Sequence, residues 1–282
     1  MNYHIIKKLK SATVNILKTV LELLSKKISL KYAWIKLSSQ LILVGKRFDD
    51  GVNWYSYTKH YSEELKMMEN KFTTLLAKDV ISFENNRIVY TSNSQIPLHP
   101  NHELLYETIM KISPTSVLEI GCGGGDHLAN LHFLNPKLKI YGVDLLDSQL
   151  ELLNSRHKLH NFNLSLCDIT ISNTVLPKSD LIFTQAVLMH ISEKTERFLQ
   201  AIDNILKSSA QFIVFMENWT QHDFLSSIKS SRHYESSWKI YFASSKSQVN
   251  TKIMVVSKNT ELEFQPLVSY KDLLNGAPLS VH

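Results

Sequence analysis

Val117-Leu-Glu-Ile-Gly-Cys-Gly-Gly-Gly125 joins an apolar, strand-forming run to a cluster of glycines, and a helical pattern follows from Asp126. Glycines at 121, 123 and 125 let a backbone turn tightly and approach a ligand with no Cβ in the way. In open α/β sheets such a loop lies at the carboxyl end of a parallel strand, the edge where ligands bind. A glycine triplet by itself also fits an ordinary strand-to-helix turn, so its neighbours carry the weight.

Outward from this loop, strand and helix patterns alternate. Candidate strands are 115–120, 138–144, 162–167, 179–184 and 211–217, and candidate helices are 126–134, 147–159 and 194–207. That rhythm predicts βαβ units and a parallel sheet. Trp238 to Phe242 and Lys252 to Val256 are too close together for a helix between them, so they are expected to close the sheet as an antiparallel pair.

Acidic residues stand at the ends of these strands. Glu119 precedes the first glycine, Asp144 ends Tyr141-Gly-Val-Asp144, Cys167-Asp168 ends the third strand, and Asp180-Leu-Ile-Phe-Thr-Gln185 supplies the fourth. Together with Glu119-x-Gly121-x-Gly123-x-Gly125, they resemble the motifs of class I S-adenosylmethionine (SAM)-dependent methyltransferases over residues 113–258. The resemblance implies a Rossmann-like α/β fold with a seven-stranded sheet and an N-terminal helical cap. It also implies a SAM pocket formed by Glu119, Gly121, Cys122, Gly123, Gly125, Asp144, Leu145, Asp168, Ile169 and Gln185. Within it, Asp144 would hold the ribose hydroxyls and Asp168 would meet the adenine amino group. A dinucleotide-binding domain is the rival on the same architecture, but its Gly-x-Gly-x-x-Gly fingerprint would need glycine where Asp126 stands.

Thr184-Gln-Ala-Val-Leu-Met-His190 lacks the (Asp/Asn)-Pro-Pro-aromatic pattern of enzymes that methylate base amino groups, and no cysteine lies in it. What remains resembles small-molecule and sugar methyltransferases, including those of bacterial surface polysaccharide synthesis. RNA or a small natural product is the alternative acceptor, and a non-catalytic SAM-binding or membrane-recruited module is the alternative of a different class. His190 is the candidate general base, since imidazole titrates near neutrality; packing where strand meets helix is its other reading. Glu217 ends the fifth strand and could orient a substrate hydroxyl, ligate a metal or hold the neighbouring loop. No closed set of ligands at metal spacing is evident, so no required metal is expected.

The 282 residues are 44% hydrophobic and 20% charged, an ordinary globular composition with net charge +5. The charge is unevenly spread. Residues 1–47 hold ten basic side chains against Glu22 alone, a charge of +9, which leaves −4 for residues 48–282. Apolar residues from Ile6 to Leu24 recur at helical spacing, giving an amphipathic helix over 3–25 and further helical pieces over 28–45. This segment would pack on protein, on the same chain or a second copy, or meet an anionic membrane surface. Scarce arginine makes nucleic acid the weaker partner.

Residues 48–112 are expected to form a helical cap or substrate lid. It would hold the aromatic run Trp54 to Tyr61, a helix over 62–78, a polar connector from Asn85 to Ser94, His99–His102 and a helix over 101–111. Residues 113–282 are expected to form the SAM-binding domain. Two cysteines without a disulfide framework, no convincing signal peptide and no uncharged apolar run of about 18 residues point to the cytoplasm, with peripheral membrane contact open.

Overall fold

The computed structural model describes residues 80–84, 87–90, 98, 100–158, 161–191, 196–217, 223–244 and 252–262. All belong to one compact unit, Met67–His282. The basic segment, the aromatic run and the helix expected over 62–78 lie outside the described residues.

The elements follow the sequence pattern closely. After a hairpin, β1 (Val80–Glu84) and β2 (Arg87–Tyr90), come α1 (Pro100–Ile112), β3 (Ser116–Ile120), α2 (Asp126–Leu134), β4 (Lys139–Asp144), α3 (Asp147–Arg156) and β5 (Asn163–Leu166). Then follow β6 (Leu181–Gln185), a single 3₁₀ turn (Leu188–His190), α4 (Glu196–Lys207), β7 (Phe212–Met216), α5 (Phe224–Ser230), β8 (Lys239–Ser244) and β9 (Lys252–Ser257). Two features depart from expectation. The start of the polar connector is instead part of the β1–β2 hairpin, in which Ile88 is buried. The sequence carries the signal, an alternating Val-Ile-Ser-Phe-Glu run followed by Asn-Asn and Arg-Ile-Val-Tyr. Helix α5, capped by the Asp223 carboxylate accepting from the Ser226 N–H, was not anticipated either.

One seven-stranded sheet has the order β5-β4-β3-β6-β7-β9-β8. β3 to β7 run parallel, and β9 inserts antiparallel between β7 and β8. This is the α/β sheet that the resemblance implied. β3 pairs with β4 on one side and β6 on the other, so the chain reverses its winding beside β3. Side chains alternate along the inner strands and feed two cores. Val117, Leu181, Phe183, Val214 and Met216 pack with Leu105 and Ile109 of α1, Leu128 of α2 and Leu153 of α3. Leu118, Ile182, Ile213 and Phe215 pack with Phe198, Ile202 and Ile205 of α4 and with Phe224 of α5. Burial on both faces explains why β7 reads as a continuous apolar run.

Asp180 fastens the amino ends of β3 and β6. Its carboxylate accepts from the Thr115 N–H at 2.8 Å, while its own N–H donates to Ser116 Oγ at 2.9 Å. The Thr115 hydroxyl, which donates to the same carboxylate, and then the Thr115 N–H hold this carboxyl below the usual range. At the same edge, Lys258 Nζ donates to Leu206 O (2.8 Å) and Ser208 O (2.7 Å) at the end of α4, and it lies 4.8 Å over the Trp238 ring. A cation there complements the helix dipole, although burial lowers the ammonium to about 8. Lys258→Met keeps the stem over Trp238 and strips two carbonyls of their donor. The expected loss is about 2 kcal/mol, seen as a thermal midpoint lower by about 5 °C. An unchanged midpoint would show that water serves those carbonyls equally well.

Candidate active site

The carboxyl edge beside β3 holds the glycine loop, and its backbone is fastened to β4. Gly121 N–H and Cys122 N–H both reach Val143 O, at 2.7 and 3.1 Å. At Gly121, φ is +71° and an added Cβ would lie 2.5 Å from Val187 Cγ2. At Gly125, φ is +82° and the Cβ would lie 2.4 Å from Leu153 Cγ. Both positions therefore need glycine for conformation and for room. Gly123 differs, because a Cβ there meets nothing nearer than Gln149 Oε1 at 3.8 Å.

Around the loop stand three buried carboxylates. Asp144 Oδ2 accepts the Gly123 N–H and Oδ1 accepts the Leu146 N–H, each at 2.9 Å. Asp126 pairs with Arg156 at 2.5 Å, and the same guanidinium donates to Gly124 O at 2.8 Å. Glu119 is buried, and its Oε2 has no hydrogen-bond partner. Burial, then Asp126 and Asp144, push its carboxyl well above the usual range. Burial likewise raises Asp144, against the pull of its backbone donors. A pocket lined this way favours a cationic ligand, because positive charge relieves both the repulsion and the orphaned oxygen.

The remaining expected cofactor residues divide by geometry. Leu145 is exposed, Ile169 is buried and Gln185 is half-buried at the end of β6. The Cys122 side chain belongs to the core below the loop, so only its backbone faces the edge. Burial raises its thiol well above the usual range and raises Cys167 to about 11. Asp168 Oδ1 accepts from Thr170 N–H (2.8 Å) and Thr170 Oγ1 (2.6 Å), with Arg197 3.9 Å from Oδ2. Its carboxylate thus shapes its own turn.

Glu217 is fully buried beneath the loop that follows β6. Its Oε1 accepts from Val187 N–H at 3.2 Å and its Oε2 from Met189 N–H at 3.1 Å. Of the roles the sequence left open, loop holding is the one these two bonds display. Ala186 in the same loop has φ +53°, a left-handed conformation unfavourable for a residue with a Cβ. The loop ends in the 3₁₀ turn that carries the half-buried His190. Among the described residues, no three His, Cys, Asp or Glu side chains are grouped to hold a metal.

A second polar cluster was missed in the sequence. Asn130 Nδ2 donates to Tyr106 Oη at 2.8 Å, and Tyr106 Oη lies 2.7 Å from His127 Nδ1. The phenol proton therefore points to Nδ1, leaving Nε2–H of His127 facing Gln185 Oε1 at 3.4 Å. Burial lowers the His127 imidazole, in keeping with this neutral tautomer. The His102 ring packs edge-on to His127 with centroids 4.5 Å apart. Polar residues within the buried faces of α1 and α2 were the available signal. Their convergence on Gln185 needs the fold.

Residues 112–268 match the methyltransferase domain family, and the chain belongs to that family. It is a SAM-dependent methyltransferase. No curated protein matches it. Among solved structures it resembles a TehB-like SAM-dependent methyltransferase from Corynebacterium glutamicum, at 13% identity and TM-score 0.48, over 73% of this chain and 100% of the other. It also resembles the N-methyltransferase NodS from Bradyrhizobium japonicum, solved with S-adenosylhomocysteine, at 16% identity and TM-score 0.44, over 70% and 98%. A third is magnesium protoporphyrin IX methyltransferase from Synechocystis with bound SAM, at 14% identity and TM-score 0.44, over 55% and 76%.

The residues present fit SAM. Its sulfonium and ammonium suit the carboxylate-rich loop, and the edge over Gly123 is clear of protein except for the Gln149 amide.

Glu217 has a measurable pH signature. Burial raises its carboxyl from 4.5 to about 7, outweighing the bonds from the Met189 and Val187 N–H groups. Between these values the folded state binds more protons than the unfolded one. This group's contribution is therefore fully present below pH 4.5 and is lost as pH rises through 7, a change of at most about 3 kcal/mol. Glu217→Gln should remove that slope from the stability-versus-pH curve between pH 5 and 8. Superimposable slopes for the two proteins would show that Glu217 does not titrate there.

Proposed function

We propose that this methyltransferase acts on a hydroxyl of a sugar or glycan in surface polysaccharide biosynthesis, with His190 as the general base. The observation that carries this reading is the placement of His190. It is half-buried, at the end of a loop clamped by Glu217, one strand away from the glycine loop. When bound, SAM supplies a methyl group made electrophilic by the sulfonium. A hydroxyl acceptor must then lose its proton as its oxygen is alkylated, and an imidazole at this edge can take it at neutral pH. Both cysteines hold their protons more tightly than usual, which disfavours a thiolate nucleophile and leaves the acceptor's own atom to attack. The lack of a base-amino-group motif in Thr184–His190 also argues against nucleobases.

The test is methyl transfer from labelled SAM to sugar nucleotides, lipid-linked glycans and RNA. Label is expected in a glycan fraction, and label in RNA alone would overturn the reading. On the accepted substrate, His190→Ala should lower kcat about 100-fold with little change in S-adenosylhomocysteine affinity. Full kcat in the variant would make His190 structural.

We read the protein as cytoplasmic, with residues 1–47 packing on protein and, as a second and compatible reading, meeting an anionic membrane surface. The support is their charge of +9 combined with apolar residues at helical spacing. Each lysine near such a surface contributes about 1 kcal/mol. The full chain should float with anionic liposomes and a chain lacking residues 1–47 should not. Equal flotation of the two would remove the anchor.

A further inference from the structure

A chain of polar side chains runs through the contact of α1 with α2 and stops at the end of β6. Tyr106, His127 and Asn130 are all buried, beside Leu105, Ile109, Leu128 and Leu131 of the core. Apolar side chains at these three positions would fill the space without needing partners. A connected polar set is therefore better explained by what it does at its far end. Asn130 Nδ2 donates to Tyr106 Oη at 2.8 Å, which commits the phenol proton to His127 Nδ1, 2.7 Å away. The imidazole plane is held as well, edge-on to His102 at 4.5 Å and to Phe183 at 6.2 Å between centroids. With Nδ1 an acceptor, the neutral ring carries its proton on Nε2, and that N–H faces Gln185 Oε1 at 3.4 Å.

The consequence falls on the other half of the Gln185 amide. An amide whose oxygen is turned to a donor turns its NH2 away, and among the described residues no acceptor takes those two protons. Gln185 is half-buried, and Thr184 just before it pairs with Ile120, so Gln185 stands across from Gly121. Asp144 lies on the β4 side of β3, whereas Gln185 lies on the β6 side, from which the loop carrying His190 departs. The site therefore offers a neutral hydrogen-bond donor on the side of His190. A hydroxyl can use such a donor and an amine cannot. The hydroxyl oxygen has two lone pairs, one to attack the methyl carbon and one to accept an N–H. A neutral amine has a single lone pair, which the attack consumes.

We propose that Tyr106 and His127 are positioning residues that aim the Gln185 NH2 at the acceptor oxygen. The proposal rests on the hydroxyl reading given above and makes Gln185 an acceptor-contacting residue. In the transfer, the O–CH3 bond forms as the S–CH3 bond breaks. The electron pair of the broken bond goes to sulfur, giving S-adenosylhomocysteine, and the hydroxyl proton goes to His190. Loss of that proton makes the oxygen more negative, and a fixed amide donor stabilises the charge.

Histidine side-chain nitrogen NMR of the full chain with S-adenosylhomocysteine should show His127 neutral with its proton on Nε2, its signals being those lost in His127→Gln. A proton on Nδ1 would overturn the proposal. Methyl transfer from labelled SAM is then measured with pooled sugar nucleotides and lipid-linked glycans. Gln185→Met should lower kcat about 100-fold while the Kd for S-adenosylhomocysteine stays within about 3-fold. His127→Leu should lower kcat about 10-fold. His127→Gln, whose amide can accept from Tyr106 and donate to Gln185, should stay within about 3-fold of the unaltered chain. In the Gln185→Met background, His127→Leu should cost nothing more. Full kcat in Gln185→Met overturns the proposal, as does an equal loss from His127→Leu in both backgrounds. A weakened Kd in Gln185→Met would put the amide on the cofactor and overturn it too. If the unaltered chain labels no glycan, the hydroxyl reading falls and this proposal with it. Labelling that is indifferent to residues 127 and 185 sinks the proposal alone.

Discussion

The contact of Val187 with the backbone at Gly121 is the constraint on which the site depends. The loops after β3 and β6 meet there so closely that even a methyl group on Gly121 would strike a Val187 methyl at 2.5 Å. Beneath the second loop, Glu217 accepts two backbone N–H groups and is sealed from solvent. The left-handed turn at Ala186 is held between that carboxylate and the Ala186 N–H bond to Met216 O. One chain of contacts therefore runs from the end of β7, through the loop carrying His190, to the loop that faces the cofactor.

Charge supplies the second half of the design. Asp126 has Arg156 as a counter-ion and Asp144 has backbone donors, but Glu119 has neither at its free oxygen. Carboxylates this close raise one another's affinity for positive charge. The pocket is prepared for a cation, which separates it from Rossmann sites that place a pyrophosphate on a glycine loop. The buried His127 sits in the first turn of the helix leaving that loop, neutral and oriented by Tyr106. It extends the same preorganisation to Gln185 from helix α1.

Much of this was legible in one dimension. The five parallel strands, α1 to α4 and the closing antiparallel pair all follow from apolar runs and helical spacing, because those patterns reflect burial directly. Asp144 and Asp168 could be placed at the same edge as the glycine loop because the carboxyl ends of parallel strands face one edge. The turn and second strand of the β1–β2 hairpin fall in the expected connector because that strand is only four residues long and begins with Arg87. Helix α5 was missed because its seven residues include three serines, which are weak helix formers without a cap such as Asp223.

The sequence by itself determined the fold family and the cofactor edge, since strand period, glycines and acids at strand ends are local signals that survive without coordinates. Only the tertiary structure decided what each polar side chain does there. Glu217 is only a carboxylate at a strand end in the sequence, and the fold buries it against two backbone N–H groups of a loop. Gln149 and His127 look like ordinary helix residues, and the fold brings one over Gly123 and the other to Gln185. Roles of this kind depend on which groups are left unsatisfied when distant segments meet, and that is a property of the packed chain.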